Sequence, residues 1–104
     1  MSFIFMVFHY PTPEHRDELA RQMDEMGAFL SATPGCMEVG PPYLTEDGCL
    51  IGISTWGSKD AFLSAGLTLG GSDEIVEGET RPRERFFLHE AKRSPVARVS
   101  APAD

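Results

Sequence analysis

The chain has 104 residues, enough for one domain, and its 41% hydrophobic and 24% charged residues suit a folded globular protein. Net charge is −7, and because the tail from Lys92 to Asp104 carries +2, the rest carries −9; that field excludes nucleic acid and anionic membranes as partners. No apolar run approaches the roughly 20 residues that span a bilayer, Met1-Ser2-Phe3 lacks the basic segment of a secretion signal, and Cys36 and Cys49 read as free thiols, so a cytoplasmic location is expected.

Phe3 to Tyr10 (FIFMVFHY) is β-branched and aromatic and stops at Pro11, which predicts a strand. A helix is expected to follow at once, with Thr12 as N-cap, Pro13 at its first position and Glu14, Asp17 and Glu18 at the positive end of its dipole. Leu19, Met23, Met26 and Leu30 share one face of it, and Pro34-Gly35 ends it. Cys36 to Tyr43 reads as a second strand, at an edge or broken by Pro41-Pro42, which donate no ladder hydrogen bonds. Thr45-Glu46-Asp47-Gly48 reads as a turn, and Cys49 to Trp56 (CLIGISTW) as a central third strand. The hairpin register sets Tyr43 opposite Cys49 and Trp56 near Cys36 and Met37, which holds the cysteines apart.

Ser58 caps a shorter second helix to about Gly66, and Arg83 to Ala91 reads as the last strand. Between them Gly70-Gly71 is a break, and Asp73 to Val76 is expected to form a helical turn. One domain is expected over 1–91, with a disordered Pro- and Ala-rich tail over 92–104. The order β-α-β-β-α-β predicts an α+β, ferredoxin-like fold: a four-stranded antiparallel sheet, strand order 4-1-3-2, with both helices on one face.

The first strand is apolar on both sides, with Phe3, Phe5 and Val7 on one and Ile4, Met6 and Phe8 on the other. The chain has helices for only one face. A second copy, sheet against sheet, is therefore expected on the other, making a homodimer.

Thr33-Pro34-Gly35-Cys36-Met37, followed by Ser54-Thr55-Trp56-Gly57-Ser58-Lys59-Asp60-Ala61-Phe62, resembles the Pro-Gly and Trp-x-Ser-x-x-Ala-Phe stretches of the antibiotic biosynthesis monooxygenase superfamily. The resemblance covers about residues 2–91. It implies a dimeric α+β barrel, and either cofactor-independent oxygenation of aromatic, polyketide-like substrates or haem degradation, with an Asn and a Trp in the pocket. Trp56 matches that Trp. The chain contains no Asn, residues 58–66 hold no His to bind haem iron, and Gly57 stands where the family usually has an acid. Oxygenation without a bound cofactor is therefore the first expectation. A non-catalytic dimer binding a small apolar or aromatic molecule is the alternative.

Candidate catalytic residues are His9 and His89, either of which suits a pocket acid or base or a structural role, and Trp56, which could stack on a flat ligand or plug the core. Met26, Met37, Trp56, Phe62 and Arg85 are the candidate substrate contacts. Arg81, Arg83 and Arg85 alternate toward one side, to bind a carboxylate or phenolate or to pair with Glu77, Glu79 and Glu84. No His/Cys spacing suggests a metal site, and there is no phosphate-cradling loop or nucleophile elbow.

Overall fold

The computed structural model describes residues 2–67 and 73–90. The elements are β1 (Phe3–His9), α1 (Arg16–Ser31), β2 (Cys36–Val39), β3 (Tyr43–Leu44), β4 (Leu50–Trp56), α2 (Lys59–Ser64) and β5 (Glu84–His89). The sheet is antiparallel with order β2-β4-β1-β5, and β3 pairs with β4. This is the expected strand order, with one difference: the predicted second strand is split into β2 and β3 around Pro41-Pro42. Gly70-Gly71 and the tail over 92–104 lie outside the described residues. Among the described residues no helix is long and apolar enough to cross a membrane.

The central ladder keeps a regular register, with Phe3 opposite Trp56 and His9 opposite Leu50. The expected register of the hairpin needs correction at one end. Cys36 pairs with Trp56 as predicted, but Tyr43 faces Ile51 rather than Cys49. The slip begins at a bulge between Cys36 and Glu38, and Met37 is the extra residue there. Thr45 closes the turn with Cys49, its N–H 2.9 Å from the Cys49 carbonyl, and Gly48 takes φ +92° within it. Both cysteines are free, one at each end of the pair.

Helix α1 starts later than predicted, at Arg16, with no side-chain cap. Residues 13–15 form a turn in which the His15 N–H reaches the Thr12 carbonyl at 3.0 Å. Thr12 lies three positions before the N-cap residue, His15, and so does not cap the helix; its backbone serves another contact. Its N–H donates to the Gly78 carbonyl at 2.8 Å, and the Thr80 N–H donates to Tyr10 at 2.8 Å. Pro11 and Glu79 bridge between these two bonds. The helical turn expected at Asp73 to Val76 is absent; a turn forms just after it, where the Glu79 N–H reaches the Val76 carbonyl. Helix α2 keeps its predicted cap, with the Ser58 hydroxyl accepting from the Ala61 N–H.

Strand alternation puts Phe3, Phe5, Val7 and His9 on the helix face, beside Leu50, Gly52, Ser54 and Trp56 of β4 and Arg85 and Phe87 of β5. At one end of this face Phe3, Trp56 and Phe62 are buried completely or nearly so. Phe62 packs against Phe3 with ring centres 5.3 Å apart and meets Trp56 edge-on at 5.7 Å. Burying each of these rings contributes about 2–3 kcal/mol. Gly35 lets the α1–β2 turn lie on α2: its φ is +87°, and a Cβ there would fall 2.5 Å from that of Ala61.

The opposite face carries Ile4, Met6 and Phe8, flanked by Ile51 and Ile53 and by Phe86 and Leu88. No element of the described chain covers it, and Phe86 and Leu88 are 42% and 40% exposed.

Candidate functional site

Helix α1 touches the sheet closely at only some points. Leu19 is its one buried residue, while Met23 and Leu30 are half-buried. Gly27 brings the helix near β2, where a Cβ would lie 3.2 Å from Val39 Cγ1. Between α1 and the sheet lies a half-open cavity of about 450 Å³, within the usual range of small-molecule sites. Phe5, Val7, Leu19, Met23, Leu30 and Phe62 supply most of its apolar surface. Gly52 keeps the floor open, since a Cβ there would sit 3.2 Å from Met23 Cε and 3.4 Å from Val7 Cγ1.

The polar groups of the cavity are His9, Gln22, Ser54, Arg83 and Arg85. Among the described residues no aspartate or glutamate lines it. Glu79 lies behind the wall, its side chain fully buried. Its carboxylate accepts from the Tyr10 N–H at 3.2 Å and from Arg83 at 2.8 Å (Nε) and 2.6 Å (Nη2). Burial alone would raise the pKa of Glu79. The Arg83 hydrogen bond, the Tyr10 N–H and the charges of Arg83 and His9 outweigh that and hold it below the usual carboxylate value.

His9 is 7% exposed. Its Nδ1 is sealed from solvent without a hydrogen-bond partner among the described residues, 4.0 Å from Glu79 Oε1, too far for a bond. Burial lowers the His9 pKa to about 4, with Arg83 and Arg85 adding to the drop and Glu79 opposing it. The ring is therefore neutral at physiological pH, and its burial makes it a weak base. Tyr10, just beyond, is no base: burial and its hydrogen bond to Glu84 push its hydroxyl up to about 12.

Of the residues singled out from sequence, His9, Met26, Phe62 and Arg85 meet at this cavity. Trp56 is not on its surface. It lies against Phe62, fully buried, and its indole N–H donates to Ser54 Oγ at 2.9 Å. Met37 sits on the bulge and is 64% exposed. His89 is at the other end of the β1–β5 pair, its ring 5.2 Å from that of Phe3. The alternating arginines divide: Arg81 pairs with Glu84 and Arg83 with Glu79, as the pairing alternative held. Gln22 and the buried role of Glu79 were not foreseen. The only sequence signal for Glu79 was its spacing of four from Arg83.

No family model matches the chain, and no curated relative does. Solved structures do. Rv0793 from Mycobacterium tuberculosis superposes with a TM-score of 0.69 at 20% identity, over 90% of this chain and 99% of that one. A monooxygenase of Streptomyces coelicolor, ActVA-Orf6, solved with the ligand nanaomycin D, gives 0.64 at 16% identity, over 89% of this chain and 90% of that one. SnoaB, a cofactor-independent oxygenase from Streptomyces nogalater, gives 0.59 at 16% identity, over 90% of this chain and 97% of that one. The chain has the fold of the antibiotic biosynthesis monooxygenases. At these identities the shared property is the architecture: an antiparallel sheet with two helices on one side.

Proposed function

We propose that the protein is a small monooxygenase of this fold that oxygenates a flat, electron-rich aromatic molecule without a bound cofactor. The observation that carries the reading is the cavity, which has apolar walls and a neutral, buried histidine at its polar end. The fold of two oxygenases supports it, one of them solved with nanaomycin D. In the proposed reaction the phenolic substrate lies between α1 and the sheet, against Phe62 and Met26. His9 takes a proton from it, with the Glu79 carboxylate behind the ring to stabilise the imidazolium. The carbanion then reduces dioxygen directly. One oxygen atom replaces two hydrogens at the reacting carbon to give a carbonyl, and the other leaves as water.

The working unit is proposed to be a homodimer in which the open faces, centred on Met6, Phe8 and Phe86, cover each other. Free Cys36 and Cys49 suit a reducing cytoplasm. A second reading, a non-catalytic binding dimer, is favoured by Trp56: its indole N–H is engaged by Ser54 and its ring is shut off from the cavity.

Oxygen uptake with a panel of anthrone-like and quinol substrates separates the two. The first reading expects uptake that falls at least tenfold in His9→Ala. No uptake, with a cavity ligand bound and recovered unchanged, moves the protein to the second.

A further inference from the structure

The cavity surface has a charge opposite to that of the molecule. The chain carries −7 overall, yet among the described residues two arginines and a histidine line the cavity and no acid does. The arginines are not equivalent. Arg83 is bound by Glu79. Outside the cavity, Arg81 is paired with Glu84 and lies over the Tyr10 ring at 4.2 Å. Arg85 has neither an acid nor a hydrogen-bond acceptor among the described residues. The β1–β5 register sets it opposite Val7, on the helix face with Phe5 and His9. An unpaired guanidinium in a partly buried, mostly apolar site lacks the neutralising partner that such groups normally have.

We propose that this cavity binds an aromatic molecule carrying an ionised acidic group, a carboxylate or an acidic phenolate, and that Arg85 receives that group. A guanidinium suits two oxygens of one anion in a fork, and charge-assisted pairs of this kind are among the stronger hydrogen bonds. The rings of Phe5 and Phe62 line the same cavity for the apolar part. His9 stays neutral beside it and so does not compete for the anion. The inference rests on the cavity named above as the substrate site and specifies what enters it. It does not require that the bound molecule be oxygenated.

The test is equilibrium binding without dioxygen, so that failure of turnover and failure of recognition are read apart. The full-length protein is titrated by calorimetry with 2-naphthoate and with 2-naphthamide, which has the same shape without the charge. The wild type is expected to prefer the carboxylate by about ten- to a hundredfold, the range of a charge-assisted pair. Arg85→Ala should abolish that preference, losing carboxylate affinity by a larger factor than amide affinity. Arg85→Lys should keep part of it, and Arg81→Ala all of it. Circular dichroism of each variant confirms the fold. Equal binding of the two probes by the wild type, binding of neither, or a preference that persists in Arg85→Ala would overturn the proposal.

Discussion

His9 and Glu79 face each other within the wall of the cavity, Nδ1 to Oε1 at 4.0 Å, both shut off from solvent. The carboxylate is committed to Arg83 and to the Tyr10 N–H. The imidazole nitrogen is bonded to no group among the described residues. The pair is thus a charge and a neutral ring held just beyond bonding distance.

The first prediction concerns the acid. Glu79→Gln leaves Arg83, a partly exposed cation, without its charged partner, and should destabilise by about 1–3 kcal/mol. Urea unfolding should show a lower midpoint with an unchanged slope. Loss of the only nearby charge that raises the His9 pKa should also move its titration lower, which the ring proton signals in NMR would report.

The second concerns acid sensitivity. An unfolded histidine titrates near 6.5, whereas folded His9 titrates near 4, so below 6.5 the unfolded chain binds the proton more readily. Its contribution to stability is complete above pH 6.5 and is lost as pH falls toward 4, by about 3 kcal/mol in all. Glu79, whose pKa is also depressed, adds a further loss below the ordinary carboxylate range. Unfolding free energies of His9→Gln should be flatter than wild type between pH 6.5 and 4. Parallel curves would show that His9 is not buried neutral.

Trp56 gives a third prediction. Its ring fills the end of the core against Phe62, and its N–H engages Ser54. Trp56→Phe should lower stability by about 1–3 kcal/mol through lost volume and an unpartnered Ser54 hydroxyl. The affinity of a naphthoate probe should stay within threefold of wild type. A large loss of affinity with unchanged stability would place the indole at the ligand instead.

The fourth tests the open sheet face. Met6 pairs across with Ile53 on one side and Phe86 on the other, at the centre of that face. Light scattering should give a dimer mass for the wild type, and Met6→Arg should give a folded monomer or a weaker dimer. A monomeric wild type would leave this apolar face uncovered and refute the proposed assembly.

Most of the fold was legible because its signals are local. The alternation of strand one, the Ser58 cap, the Pro34-Gly35 stop and the Asp47-Gly48 turn act within a few residues of themselves. The errors have a common cause, which is distance along the chain. Thr12 reads as a cap, but the strand-like contact with Gly78 and a turn over residues 13–15 come before the helix, which starts at Arg16. Glu79 reads only as one of three acids able to pair with the arginines, and its burial follows from Tyr10 and Arg83 closing on it. The hairpin register could not be counted through Met37, because a bulge there changes which residues face each other. The candidate site was legible to the extent that it lies on strand faces, as His9 and Arg85 do. It was not legible where it depends on how far α1 stands from the sheet.

The backbone bridge between residues 10–12 and 78–80 sets an order of assembly. The Tyr10 to Glu79 contact spans 69 positions, so its loop closes late compared with the α1 and β4 contacts. A chain emerging from the ribosome can form the greasy hollow between α1 and β4 before Glu79, Arg83 and Arg85 exist to furnish it. The apolar volume, with His9 already at its end, is an early product of folding, and the charged groups around that histidine arrive with the last part of the chain.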